Sequence, residues 1–171
     1  MTEHTFRLTL TADPEPHLDE LFEAGCDDAL FGAVDHVHYA EFDREGLTLA
    51  DAVLSAISDL ESVPSLQVRH VEPDDLVTIG EIADRLGRTR ESVRLLVTGQ
   101  RGPGSFPPPA ARTTTRNRLW HWTDVQHWHD RDADTARDAD TIAALNAALE
   151  LRARTHTLDP GRRQQLNALA G

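Results

Sequence analysis

The chain is 171 residues long, 39% apolar and 27% charged, enough for one ordinary domain or two small ones. No apolar run approaches the ~18 residues of a membrane helix, the start MTEHTFRLTL lacks a signal-peptide layout, and a single cysteine, Cys26, excludes an internal disulfide framework. The net charge of −12, taken whole, argues against nucleic acid as a partner.

Split along the chain, the charge says something different. Residues 1–75 carry 3 Arg against 18 acids, residues 76–128 carry 8 Arg against 4 acids, and residues 129–171 carry 6 Arg against 7 acids. A basic middle segment in an acidic chain is a local electrostatic footprint. All 17 basic residues are arginine, which fits the coding bias of a GC-rich genome and also suits phosphate contacts. A reducing cytoplasm is the expected compartment, with no membrane contact.

In chain order, Phe6–Leu10 alternates apolar and polar residues, as a half-buried strand does. Asp13-Pro14 breaks it and offers an N-cap with proline at the first helical position. Leu18, Leu21 and Phe22 follow at helical spacing as far as Gly25. Ala29–Phe31 reads as a short second strand. His36–Phe42 reads as a third, with Val37, Tyr39 and Glu41 on one face, closed by Gly46. A helix begins near Thr48 and carries Leu49, Ala52, Val53, Ala56, Ile57 and Leu60 on one side. Pro64 ends it, and Leu66–Val71 alternates as a last strand. The order βαββαβ predicts an α+β, ferredoxin-like domain over residues 1–75, with two helices on one face of a four-stranded antiparallel sheet.

Two acidic clusters in this domain, Cys26-Asp27-Asp28 and Glu41–Glu45, read as solvated rims in preference to metal ligands or acid/base pairs. No nucleophile-and-base arrangement or glycine-rich phosphate loop accompanies them, so neither enzyme activity nor a cofactor is expected. Cys26 reads as a small buried residue. A protein partner or small ligand at this domain remains open.

After the hinge Glu72–Asp75, Thr78 and Glu81 form a capping box that fixes the start of a helix. Ile79, Ile82, Ala83 and Leu86 make its apolar face, and Gly87 suits its end. Thr89 caps a second helix whose Val93, Leu96 and Val97 face inward. Arg90, Glu91 and Arg94 must then face outward, with Ser92 at the boundary. Arginine can bond guanine O6 and N7, glutamate can accept from cytosine N4, and hydroxyls suit phosphates. An ordinary amphipathic hairpin with a solvated face is the bland alternative. The coincidence of capping box, small Ala83, glycine turn and arginine face favours a helix-turn-helix.

Arg101 lies in the segment Gln100–Pro109, whose prolines favour extended backbone. Ala110–Trp122 then reads as a β-hairpin with Arg112, Arg116 and Arg118 about its tip and Trp120 and Trp122 on one face. Thr123 or Asp124 caps a short helix carrying Val125 and Trp128. Together EIADRLG, SVRLLV, FPPP, the arginine-rich turn, LWHW and DVQHW resemble the winged helix-turn-helix of the MerR and excisionase (AlpA-like) superfamily over residues 76–129. The resemblance implies binding of double-stranded DNA, with Thr89, Arg90, Ser92 and Arg94 on the recognition helix and Arg112, Arg116 and Arg118 in the wing. Thr78, Arg88, Glu91 and Arg101 complete the expected contact set. The long RGPGSFPPP segment departs from the shortest versions and leaves the wing's register open. The whole arrangement is also similar to bacterial DNA-binding regulators without an assigned role.

His121, His127 and His129, with Asp124 and Asp130, invite a test as a zinc site. The interleaved Trp120, Trp122 and Trp128 favour an aromatic mini-core instead, and no metal is expected. In the tail, residues 130–171, Asp130–Asp140 reads as a charged connector. Thr141 reads as the cap of a helix with Ile142, Leu145, Leu149 and Arg152 in a stripe, and Asp159-Pro160 starts another helix with Leu166 and Leu169 on one face. Packing on the chain's own domains and packing on a second subunit both fit. A homodimer is favoured, since paired half-sites are read by dimers. The expected function is a sequence-specific DNA-binding transcriptional regulator. An antitoxin-like or phage-type adaptor built on the same winged domain is the alternative.

Overall fold

The computed structural model describes residues 1–129 and 133–170, the side chains of 133–138 and 170 excepted. The architecture is mixed α+β, in two compact units: residues 1–72 with those from 144 onward, and residues 73–143. None of the described helices is long and apolar enough to cross a membrane.

In the first unit, β1 (Thr2–Leu10) leads through a single 3-10 turn into α1 (Leu18–Glu23), followed by β2 (Ala29–Val34), β3 (Val37–Gly46), α2 (Leu49–Glu61) and β4 (Val68–Glu72). Sheet order is β2-β3-β1-β4, with every pair antiparallel. A two-residue turn joins β2 to β3. Its Asp35 and His36 take φ of 48° and 67°, the left-handed pair that a tight hairpin requires. That turn pairs Val34 with Val37 and fixes the register beyond it.

In this register the buried face of β3 carries Ala40, Phe42, Arg44 and Gly46. Val37, Tyr39 and Glu41, expected on one face, do share it, and it is the opposite and more open face. Apolar residues occur on both faces of the strand, so alternation alone could not choose between them. Pairing chooses: Phe42 sits opposite Phe6, their rings stacked 5.5 Å apart. Leu8, Leu10, Val68 and Val71 extend this layer beneath Ala52, Val53, Ala56 and Leu60 of α2. Thr48 caps α2, its hydroxyl accepting from the Asp51 N–H at 3.1 Å. Of the apolar residues at helical spacing in α1 only Leu21 is buried; Leu18 and Phe22 are exposed.

Arg44 departs furthest from the solvated rim expected of Glu41–Glu45. Its guanidinium is buried and uses all five donor positions. It donates to both Asp28 oxygens at 2.8 and 2.9 Å, to Asp59 at 2.6 Å, to Ser55 Oγ at 3.2 Å and to the Gly25 carbonyl at 2.5 Å. The Asp28 bonds, then those to Asp59, raise its pKa against the opposing effect of burial. β3, α2 and the loop before β2 are thereby pinned to one cation.

The two edges of the sheet differ. The outer edge of β4 is covered from residue 144 onward by α6 (Ala133–Thr155). The Asn146 carboxamide accepts from the Val71 N–H at 2.8 Å and donates to the Val71 carbonyl at 2.9 Å. Arg152 donates to the Val68 carbonyl and pairs with Glu61, which accepts from the Val68 N–H. Leu149 is buried. Much of the tail stripe is therefore used within the chain. Thr141 lies inside α6 and does not cap it, and the expected connector Asp130–Asp140 is helical from Ala133; Asp130–Asp132 lie outside the described residues. α7 (Pro160–Ala170) starts as expected, with Asp159 accepting from the Arg162 N–H, but Leu169 is exposed.

The second unit opens with β5 (Leu76–Val77), α3 (Ile79–Arg85) and α4 (Arg90–Val97), and continues, after a long irregular stretch, with β6 (Trp120–His121) and α5 (Trp122–His129). Its core is Val77, Ile82, Ala83, Val93, Trp120 and Val125, with Ile79, Leu86, Val97, Phe106 and Trp122 packed around it. Full burial of Trp120 is its largest apolar contribution, on the order of 3 kcal/mol against truncation to alanine.

Candidate nucleic-acid interface

Both helix starts are set by side chains next to them in sequence. Thr78 Oγ1 accepts from the Glu81 N–H at 3.3 Å, and the Glu81 carboxylate accepts from the Thr78 N–H at 2.7 Å. These bonds hold the Glu81 carboxyl below its ordinary pKa, the backbone bond contributing most. Thr78 thus caps α3 with both its backbone and its side chain. Thr89 Oγ1 likewise accepts from the Ser92 N–H at 3.2 Å.

Between the helices, Gly87 at φ 61° turns the chain, and Arg88 donates its N–H to the Ala83 carbonyl at 2.8 Å. Val93 and Leu96 are buried, while Arg88, Thr89, Arg90, Glu91 and Arg94 are exposed and Ser92 half-buried. Arg94 makes only a 3.5 Å contact with Glu91, both well exposed, worth little in water. The Arg90 guanidinium lies beside Gly80, where a Cβ would come within 3.1 Å of it. A glycine in the first turn of α3 therefore lets Arg90 lie across that helix.

After α4 the chain is held by tryptophans. Trp128 Nε1 donates to the Gly104 carbonyl at 2.9 Å and Trp120 Nε1 to the Pro107 carbonyl at 3.1 Å. Phe106 sits edge-on to both rings, 4.9 Å from Trp128 and 6.5 Å from Trp120. Gly102, at φ 82°, lies where a Cβ would stand 2.7 Å from Leu96 Cδ2. Arg101 is exposed beside it.

The expected hairpin is cut to one bridge, Ala111 with Leu119. β6 pairs with β5, Leu76 opposite His121 and Val77 opposite Trp120. Pro107–Pro109 lack the N–H groups a longer ladder needs, so Trp120 pairs elsewhere. The bridge still closes a loop, residues 112–118, on which Arg112, Arg116 and Arg118 are all exposed.

α5 starts at Trp122, ahead of the expected cap at Thr123 or Asp124, and its cap comes from far back in the sequence. Asp75 Oδ1 accepts from the Thr123 N–H at 3.0 Å, and the Asp75 carbonyl accepts from the Trp122 N–H at 2.6 Å. Its other carboxylate oxygen meets His121 Nδ1 at 2.5 Å. Read in sequence as part of a polar hinge, Asp75 is a structural pin. Arg85 is taken up similarly: it lies over the Trp122 ring and donates to the Asp74 carbonyl at 2.8 Å, and burial lowers its pKa. His127 meets Asp140 at 3.1 Å, and no metal-binding group of three His, Cys, Asp or Glu occurs among the described residues.

Six arginines of this unit, Arg88, Arg90, Arg101, Arg112, Arg116 and Arg118, have no carboxylate partner among the described residues, whereas in the other unit Arg7, Arg44, Arg152, Arg154 and Arg162 are paired and only Arg69 and Arg163 are not. Compared with family models, with curated proteins and with solved structures, the chain matches none.

Proposed function

We propose that the chain is a sequence-specific DNA-binding protein, a bacterial transcriptional regulator. In this reading residues 76–129 form a winged helix-turn-helix, α4 reads base edges in the major groove, and the loop 112–118 contacts the backbone. The observation that carries it is the set of six arginines left without carboxylates in an acidic chain. Unpaired guanidinium groups on a capped helix, a turn and a loop suit phosphates, each contact releasing counterions. The antiparallel order β2-β3-β1-β4, with both helices between its strands, supports a ferredoxin-like reading of the first unit. Its acidity suits a role away from the DNA backbone, in assembly, partner binding or sensing. A homodimer reading paired half-sites belongs to the same proposal.

The test is a salt-controlled shift assay on fragments selected from the source genome. Arg90→Ala with Arg94→Ala removes specific binding and leaves the unfolding midpoint near that of the parent. Unchanged affinity in that double variant defeats the assignment of α4 as the reading helix.

A further inference from the structure

The edge of the four-stranded sheet away from β4 is open. β2 pairs only with β3, and the phase of that ladder is fixed twice, by the tight turn that pairs Val34 with Val37 and by the Asp43 N–H donating to the Asp28 carbonyl at 3.2 Å. In an antiparallel pair, hydrogen-bonded positions alternate. Leu30, Gly32 and Val34 therefore direct their backbone groups toward β3, and Phe31 and Ala33 direct theirs outward. No residue among those described takes these outward groups, in contrast to the side chains that cover β4.

Three further observations meet at this edge. Large apolar side chains are exposed around it, Leu30 at 66%, Val34 at 58% and Val37 at 50%. On the other face of β2 a pocket of about 330 Å³ is lined by Asp13, Glu15, Leu18, Phe31, Ala33 and His38. Two acids line that pocket, Asp13, 3.5 Å from His38, and Glu15. They lie in a stretch between Arg7 and Arg44 that holds ten acids and no arginine or lysine, two of them, Glu41 and Asp28, paired with those flanking arginines.

We propose that the β2 edge docks an extended basic peptide segment of another protein, added as a fifth strand. The free groups of Phe31 and Ala33 supply main-chain hydrogen bonds. Because β2 alternates its faces, a strand laid beside it alternates too. Arginine or lysine side chains on one face reach the pocket with Asp13 and Glu15, and apolar side chains on the other cover Leu30 and Val34. Charge decides against a second copy as the occupant, because self-pairing would bring together two acid-rich segments that hold no arginine or lysine. It decides against nucleic acid for the same reason.

The probe is a short fluorescein-labelled peptide alternating valine and arginine, titrated by anisotropy into the full chain. Saturable binding that weakens with salt is expected, and a valine–glutamate peptide should not bind. Ala33→Pro removes an outward N–H without touching the β2–β3 ladder, a position that tolerates proline at an edge. It should weaken binding by up to about tenfold, the value of a lost hydrogen bond. Asp13→Asn with Glu15→Gln, which keeps a side-chain oxygen to accept from the residue 15 N–H as Asp13 does at 3.0 Å, should weaken binding and flatten its salt dependence. A peptide N-methylated at its arginines tests strand addition with the protein unchanged: in an antiparallel fifth strand these residues lie opposite Phe31 and Ala33 and lose the N–H groups that would bond them, so it should bind weakly. Absence of binding, equal binding of the glutamate or N-methylated peptide, or a folded Ala33→Pro with parental affinity overturns the proposal. So does light scattering that shows a dimer broken by Ala33→Pro, which would assign this edge to a second copy.

Discussion

The Asn146 carboxamide takes both backbone groups of Val71, accepting the N–H at 2.8 Å and donating to the C=O at 2.9 Å. One side chain on a helix thus does for an edge residue what a neighbouring strand would do. An edge left bare invites pairing with other chains, and covering it with a helix is one remedy. Asn146→Ala strands two half-buried backbone groups, at a cost of about 1–2 kcal/mol. The amide of Val71 should lose its hydrogen-exchange protection while those of central β1 keep theirs. Retained protection at Val71 would mean that the edge is held by Leu149 and Arg152 without it. Arg152→Ala, at a more exposed pair, should cost less than about 1 kcal/mol.

Asp75 makes a comparable prediction for the second unit. Its carboxylate caps α5 through the Thr123 N–H, across 48 positions of sequence. Asp75→Ala should destabilise this unit by about 1–2 kcal/mol, whereas Asp75→Asn, which keeps an acceptor oxygen, should cost less. All three tryptophans, Trp120, Trp122 and Trp128, lie in residues 73–143. Their fluorescence therefore follows unfolding of this unit alone. Equal midpoints for the alanine variant and the parent would remove Asp75 as a determinant of α5.

What the sequence disclosed and what it hid separate by range. Thr78, Glu81 and Thr89 were legible because a cap and its partner lie within one turn. The element order in the first unit was legible from periodicity, and so was the burial of Val93 and Leu96. Asp75 was not, because a cap acting across 48 positions leaves no local signature. Arg44 was hidden inside an acidic run that reads as solvent-facing; only the fold brings Asp28 and Asp59 to it. The buried face of β3 depended on register, set by the turn at Asp35-His36. The start of α6 was obscured because an alanine-rich, charged segment has little apolar periodicity. The short strand pair β5–β6 was missed because two residues of pairing carry no period.

Cys26 gives a pH dependence with a definite sign. Burial pushes its thiol from 9.0 up to about 11, with the Arg44 guanidinium opposing and Asp59, Asp28 and Asp27 adding to the rise. A raised pKa means that the folded state holds the proton more tightly than the unfolded one. The corresponding stability is fully present below pH 9.0 and is lost as pH rises toward about 11. Cys26→Ala should flatten that part of the stability profile, while adding its own small cavity cost at every pH. Iodoacetamide at pH 8 should label the folded chain far more slowly than the chain in urea. Equal labelling rates would show that the thiol is neither buried nor raised.

The loop closed by Ala111 and Leu119 separates positioning from reading, if the chain binds DNA as proposed. Arg112, Arg116 and Arg118 are exposed and without carboxylates, suited to phosphates and not to base edges. Arg112 also sits at φ 52°, so glycine is the substitute that removes its charge without backbone strain. Each phosphate contact contributes about 0.9 to the slope of log K against log salt. Arg112→Gly with Arg116→Ala and Arg118→Ala should therefore lower that slope by up to about 3 and weaken all sequences nearly alike. The preference for the selected site over random DNA should persist, since α4 is untouched. An unchanged slope would take the loop off the DNA backbone, and a lost preference would make it a reader of sequence.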